Sequence, residues 1–152
     1  MTYEEAVRYV YSFANFEVSR AAQTDLKLTR MVRLLELAGR PDREFRSVLV
    51  AGTKGKGSTA AMLAAISTAS GGRTGLFSSP HLNSHRERYR LDGIPISKQS
   101  FVELAERLPG LIARLQTSSA DMGPPTTFEL CTLLAFQYFA EARVDLAVVE
   151  IG

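Results

Sequence analysis

The stretch Val48-Leu49-Val50-Ala51-Gly52-Thr53-Lys54-Gly55-Lys56-Gly57-Ser58-Thr59 constrains this chain more than any other. Residues 47–51 are a short run rich in Val and Leu, which predicts a buried strand. A glycine-rich turn follows over 52–57. From 58 to about 70 the Ala-rich sequence predicts a helix that stops at Gly71-Gly72. Strand, glycine turn and helix in that order make a phosphate cradle. Glycines let successive N–H groups converge, the helix N-terminus adds partial positive charge, and a lysine at the turn can reach the outer phosphates. The spacing is not G-x-x-x-x-G-K-S/T, because Val50 stands five residues before Gly55 and Gly57 separates Lys56 from Ser58. The alternative is a tight turn that binds nothing. Against it, the Lys and hydroxyl residues fall where a triphosphate with Mg²⁺ would use them.

The remaining pattern supplies the frame. Thr2 with Glu5 makes a capping box ahead of Val7, Val10, Tyr11 and Ala14 at helical spacing. A second helix is expected over 28–38, with Met31, Leu34, Leu35 and Ala38 as its apolar stripe and Gly39-Arg40-Pro41 as its stop. Residues 74–77 predict another strand, followed by a polar loop with Ser78, Ser79, Pro80 and His81. Residues 87–91 and 94–96 flank Asp92-Gly93, a hairpin signal. Phe101, Leu104, Leu108, Leu111, Ile112 and Leu115 trace a long helix that Pro109 should break. A loop over 117–125 leads to a second capping box, Thr126 with Glu129, and to a helix carrying Phe128, Cys131, Leu134, Ala135, Tyr138 and Phe139 on one face. Residues 145–151 predict a last strand. Strands alternating with helices imply an α/β fold, a largely parallel sheet flanked by helices.

Composition narrows the classes. At 152 residues, 45% hydrophobic and 22% charged, the chain suits one compact domain rather than a disordered or fibrous one. Eighteen Lys and Arg against 16 Asp and Glu leave +2, too little to suggest nucleic-acid binding. Cys131 is the sole cysteine, so no intrachain disulfide can form and a reducing cytoplasm is the expected compartment. The acidic start Met1-Thr2-Tyr3-Glu4-Glu5 is unlike an export signal, and no apolar run approaches the roughly 20 residues that cross a bilayer. The final strand stops abruptly, which raises the expectation of a truncated domain.

Gly52-Thr53-Lys54-Gly55-Lys56-Gly57-Ser58 resembles the ATP loop of the Mur ligase superfamily, with Lys54 where Asn is usual. Three further stretches narrow the resemblance to the folylpolyglutamate synthase/dihydrofolate synthase family. They are Leu26-Lys27-Leu28 leading into Met31-Val32-Arg33-Leu34-Leu35-Glu36, Ser78-Ser79-Pro80-His81-Leu82 with Glu87-Arg88, and Phe128-Glu129 followed by Val149-Glu150-Ile151-Gly152. The resemblance implies the P-loop-containing central ATPase domain of a Mur-type ligase. Residues 1–152 would be its N-terminal part, with the rest of that domain and a C-terminal glutamate-binding domain outside these residues.

It also implies a reaction. ATP phosphorylates the carboxylate of a folate or dihydropteroate, and the amine of L-glutamate attacks the acyl phosphate to form an amide. The parent would be a tetrahydrofolylpolyglutamate synthase, a dihydrofolate synthase, or both, cytoplasmic and monomeric, with no nucleic acid or membrane as partner. The 152-residue chain alone is expected to bind ATP at best. By the same resemblance Lys56 and Glu150 are catalytic, Gly52, Thr53, Lys54, Gly55, Lys56, Gly57, Ser58 and Thr59 hold ATP, and Ser58, Ser79 and Glu150 hold Mg²⁺. Leu26, Lys27, Leu28, His81, Arg88, Thr126, Thr127, Phe128 and Glu129 bind substrate, and the 117–125 loop is a flap over the pterin.

Several of these residues carry alternatives. Glu150 read alone is a solvated strand-end carboxylate, and Ser79 a turn residue before Pro80. His81 and His85, four apart, could suggest a metal, but in a polar loop with no third ligand they read as surface or substrate-lining. Arg86, Arg88 and Arg90 alternate as on one face of a strand, either a solvated sheet edge or a contact for an anionic substrate tail. Phe128 is a ring-stacking surface or a core anchor. Another Mur-type ligase, a P-loop kinase, or a nucleotide-binding module without turnover are the rival functions.

Overall fold

The computed structural model describes residues 1–15 and 28–151. Two compact units share the chain: Met1–Arg40 with Gln99–Leu134, and Pro41–Lys98 with Ala135–Gly152.

The first unit is helical. Helix α1, Tyr3–Tyr11, starts at the expected capping box: Thr2 N–H donates to Glu5 Oε2 at 2.7 Å and Glu5 N–H to Thr2 Oγ1 at 3.2 Å. Helix α2 spans Leu28–Leu37, and Gly39 just beyond it has the left-handed φ of 86° of a helix stop. The helix expected to break at Pro109 is two, α4 at Lys98–Ala105 and α5 at Leu108–Ser118, the break falling just ahead of Pro109, which stands in the first turn of the second. There its missing N–H costs no intrahelical bond. Part of the expected 117–125 loop is ordered as the last residues of α5 and a short 3-10 turn at Ala120–Met122.

Helix α6, Thr127–Glu141, begins at the Thr126/Glu129 capping box, where Thr126 N–H donates to Glu129 Oε2 at 2.7 Å. The single apolar face expected of it is too narrow. Leu130 and Leu133 are buried as well as Cys131, Leu134, Ala135 and Phe139, whereas Phe128 and Tyr138 are only half-buried.

The second unit carries the sheet. Its strands are β1 Arg46–Val50, β2 Thr74–Phe77, β3 Tyr89–Leu91, β4 Ile94–Pro95 and β5 Leu146–Glu150, in spatial order β1-β5-β2-β3-β4. The pairs β1–β5 and β5–β2 are parallel, and the Asp92-Gly93 hairpin adds β3 and β4 antiparallel at one side. Helix α3, Lys56–Ala69, connects β1 to β2, and β5 lies between those two strands. Alanines at the contact let α3 approach closely: Ala60 and Ala64 pack with Val50, Leu76 and Val148. Behind β2, an ideal Cβ on Gly75 would lie only 2.7 Å from the Phe139 ring, so glycine is what admits that ring.

The run over 47–51, expected to be buried, is exposed in β1 up to Val50, and the strand expected over 87–91 is shorter than its pattern suggested. Residues 85–88 form a 3-10 turn, His85–Arg88, and not the start of β3. Ser84 and Glu87 cap it reciprocally, which removes those residues from the ladder. No helix among the described residues is long and apolar enough to cross a membrane.

Candidate functional site

The glycine loop leaves β1 at Val50 and enters α3 through Gly55, whose φ of 75° is left-handed. Gly55 is the N-cap of α3, and no side chain caps the first turn. The helix starts at Lys56, two residues earlier than expected, so Lys56, Gly57 and Ser58 all belong to that turn. Their N–H groups lie where a helix lacks intrahelical acceptors, which suits an anion. Gly52, Thr53, Lys54, Gly55, Gly57, Ser58 and Thr59 are solvent-exposed. Lys56 folds back over the loop, its Nζ donating to Gly52 O at 2.9 Å.

Register brings Glu150 to this loop across a hundred residues of sequence. Val50 and Glu150 are partners in the parallel β1–β5 ladder, and Ile151 N–H donates to Val50 O at 3.0 Å. Both strands therefore end side by side at their carboxyl edge, where α3 departs and ligands gather in open α/β sheets. The Glu150 carboxylate is buried. It accepts from Ser79 N–H at 3.2 Å, and its oxygens lie 3.7 and 3.8 Å from an ideal Cβ on Gly57. Ser79 follows β2 by two residues and precedes a cis Pro80. Gly57, Ser58, Ser79, His81 and Glu150 thus line one open cleft of about 470 Å³. Ser58, Ser79 and Glu150, which the family pattern marks for Mg²⁺, are brought together here. Among the described residues no group of three or more His, Cys, Asp or Glu side chains gathers as a metal cluster.

The rim of the cleft is built by Glu87, to which the sequence pattern gave no role. Its carboxylate accepts backbone N–H groups from Leu82 at 3.1 Å, Ser84 at 2.8 Å and Asn83 at 3.2 Å. These bonds, Leu82's foremost, hold its carboxyl below the usual carboxylate range. The S-x-x-E spacing of Ser84 and Glu87 was the available signal.

The histidine and arginine readings need correction. His85 is buried, not on the surface: its Nε2 lies 3.2 Å from Tyr89 Oη, and its ring packs edge-on to Tyr89. Burial first, then the charges of Arg88 and His81, push its pKa down to about 3, so the ring is neutral at pH 7. The three arginines do not share a strand face. Arg86 Nε donates to Ile96 O at 2.6 Å, while Arg88 is 1% exposed and donates through Nε to His81 Nδ1 at 3.1 Å. Arg90 alone of the three lines the cleft.

The other expected substrate residues belong to the helical unit. Leu26 and Lys27 lie outside the described residues. Leu28 is exposed and borders a recess of about 330 Å³ with Val32 and Met122. Thr126 and Thr127 are buried, and Thr127 Oγ1 donates toward Val10 O at 3.1 Å and Phe13 O at 3.0 Å. Glu129 is held by Arg30, a fully buried cation whose importance the sequence pattern did not signal. Phe128 is half-buried, between its two readings.

No family model matches the chain. The dihydrofolate synthase/folylpolyglutamate synthase of Mycobacterium tuberculosis is 44% identical over 133 residues, 84% of this chain and 27% of that protein. The folylpolyglutamate synthetase of Lactobacillus casei superposes with a TM-score of 0.88 at 36% identity, over 100% of this chain and 36% of its own. A folylpolyglutamate synthase complex with AMPPCP and folate superposes with a TM-score of 0.86 at 36% identity, over 100% of this chain and 35% of its own. The chain thus spans between about a quarter and about a third of the length of these three relatives. Identity above a third over most or all of this chain shows that it belongs to the folylpolyglutamate synthase/dihydrofolate synthase family.

Proposed function

We propose that this chain is the nucleotide-binding part of an ATP-dependent ligase that joins L-glutamate to the carboxylate of a folate or dihydropteroate. The observation that carries the proposal is Glu150, buried at the end of β5 against Gly57 of the α3 N-terminus and Ser79 N–H. A phosphate cradle with a carboxylate directly beside it suits transfer of a phosphoryl group from a metal-bound nucleotide. The relative solved with AMPPCP and folate supports the same substrate pair.

The residues fit Mg²⁺. Glu150, Ser58 and Ser79 offer oxygen donors, and this ion favours one or two carboxylates completed by phosphate and water. Ser58 and Glu150 would hold one ion and Ser79 a second. The ions supply charge compensation between the anionic nucleotide and the anionic carboxylate. The N–H groups of Gly55, Lys56, Gly57 and Ser58 bind the β- and γ-phosphates. Lys56 exchanges its bond to Gly52 O for a phosphate oxygen and neutralises charge as the γ-phosphoryl moves. A substrate carboxylate oxygen displaces ADP from the γ-phosphorus. The glutamate amine then attacks the acyl carbon, and phosphate leaves. Thr53, Lys54 and Thr59 border the nucleotide. In the helical unit Leu26, Lys27, Leu28, Thr126, Thr127, Phe128 and Glu129 are the pterin-binding residues the resemblance supplies, with the 117–125 segment as the flap, and in the sheet unit His81 and Arg88 are its substrate-binding residues.

Residues 1–152 are read as the N-terminal part of the ATPase domain. Two surfaces support this: among the described residues β1 has a strand neighbour on one side only, and Leu49 on it is 62% exposed, as are Met62 and Ile66 on α3 at 60% and 64%. Apolar side chains on a sheet edge and its covering helix are surfaces that further chain of the domain would bury. A cytoplasmic, monomeric enzyme acting on small molecules is the accompanying reading.

The test is phosphate release and labelled-glutamate incorporation by the intact protein with MgATP, glutamate, and either tetrahydrofolate or dihydropteroate. Release that requires both the pterin substrate and glutamate is expected. ATP hydrolysis indifferent to both substrates, with no label incorporated, would falsify the ligase reading.

A further inference from the structure

Three arginines follow one another at alternate positions near the cleft, and the structure separates them. Arg86 is turned to a backbone carbonyl, that of Ile96. Arg88 is buried and committed to His81. Arg90, on β3 in register with Leu76 of β2, is half-exposed and lines the cleft that holds Gly57, Ser58, Ser79 and Glu150. Its Nε donates to Glu87 O at 3.2 Å, which anchors the guanidinium plane from one side. No hydrogen bond from the described residues engages its two terminal nitrogens. Glu87 shares the rim; its carboxylate oxygens accept the N–H groups of Leu82, Asn83 and Ser84, and the Arg90 charge adds to them in holding its carboxyl below the usual range. Lys56, the loop's cation, is held on Gly52 O.

We infer that Arg90 is an anion-binding residue of this cleft, presenting its two terminal nitrogens as a fork to a carboxylate or phosphoryl group of the ligand opposite the α3 N-terminus. A planar, permanently charged fork fits two oxygens of one anionic group, and a lysine ammonium does not reproduce that geometry. The anchor on Glu87 O fixes the plane before binding, so little side-chain entropy is lost when the anion arrives. Arg90 also sets a positive group in a cleft whose buried Glu150 would otherwise repel both anionic substrates. The inference rests on the ligase reading for the identity of the ligands, and not for the anion chemistry itself.

The experiment is calorimetric titration of the intact protein and its Arg90→Gln and Arg90→Lys variants with three probes: folate, AMPPCP with Mg²⁺, and inorganic tripolyphosphate. Loss of about tenfold or more in affinity for at least one probe in Arg90→Gln, partly restored in Arg90→Lys, is expected. Loss confined to folate assigns the fork to a carboxylate, and loss shared by AMPPCP and tripolyphosphate assigns it to phosphate. Unchanged affinity for every probe bound by a variant with wild-type thermal stability overturns the inference. So does wild-type failure to bind any of the three. If the wild type binds tripolyphosphate but neither folate nor AMPPCP, the ligase reading fails while the tripolyphosphate comparison still decides Arg90.

Discussion

Arg30 Nε donates to both carboxylate oxygens of Glu129, at 3.1 and 2.9 Å, joining the first turn of α2 to the first turn of α6. The same guanidinium donates through Nη1 to Met122 O at 2.9 Å, and Glu129 accepts from Thr126 N–H. One buried ion pair thus organises the end of the 117–125 segment and the α6 capping box together. A carboxylate so fully engaged is a structural anchor for the residues around it.

Removing one member of that pair leaves a buried charge without its counter-ion. Arg30→Met should therefore lower unfolding free energy by about 3 kcal/mol in urea titrations. The double variant Arg30→Met/Glu129→Met should recover part of that loss. A single-variant effect under about 1 kcal/mol would show the pair to be dispensable.

Glu150→Gln keeps the size of the side chain and its bond from Ser79 N–H but removes the charge. Turnover of the intact protein should fall by at least about a hundredfold, with Mg²⁺ affinity in the presence of nucleotide reduced. Thermal stability should stay close to wild type. A variant that retains more than half of wild-type turnover would remove Glu150 from the metal site.

Stability should depend on pH through His85. The folded chain keeps this ring neutral down to about pH 3, whereas an exposed histidine protonates near 6.5. Between those values the unfolded state binds the extra proton, so stability present above pH 6.5 is lost as pH falls toward 3. The slope from this group approaches about 1.4 kcal/mol per pH unit. His85→Phe should flatten the curve in that window, and an unchanged slope would place the acid sensitivity elsewhere.

Gly75→Ala would force a methyl group to within 2.7 Å of the Phe139 ring. A destabilisation of about 1–3 kcal/mol is expected from overpacking, with partial rescue by Phe139→Leu. If the alanine variant melts at the wild-type temperature, the ring moves aside without cost.

Lys54 is exposed within the glycine loop, at the position where the family resemblance leads to the expectation of Asn. Lys54→Asn should weaken nucleotide binding a few-fold at low ionic strength, and the difference should shrink as salt is added. Equal affinities at low salt would retire any contribution of that charge.

Local signals in the chain were read correctly where one short segment holds the whole cause. The Thr2/Glu5 and Thr126/Glu129 capping boxes, the Asp92-Gly93 turn and the break at Pro109 each need only a few neighbouring residues, and each stands in the structure as expected. Ser84 and Glu87 carried the same kind of signal, but the alternating Arg86, Arg88 and Arg90 suggested a strand instead. The cap prevailed because Glu87 satisfies three backbone donors at once, more than a short ladder position offers. The burial of His85 and Arg30 had no local sign, since their partners lie on other turns and other helices.

The local pattern of the chain sets the phosphate cradle, because a strand, glycines and a helix start within twelve residues leave the backbone few other conformations. It also determined the family resemblance and the α/β alternation. What faces that cradle depends on how distant segments pack. Parallel pairing of β1 with β5 sets Glu150 beside Val50, and the order β1-β5-β2 brings Ser79 within reach of its carboxylate. Which of three similar arginines lines the cleft was likewise settled by packing: Arg86 and Arg88 are turned to Ile96 O and His81, while Arg90, anchored through Nε on Glu87 O, borders it. Strand register and burial arise from contacts between segments far apart in the chain, and no local spacing encodes them.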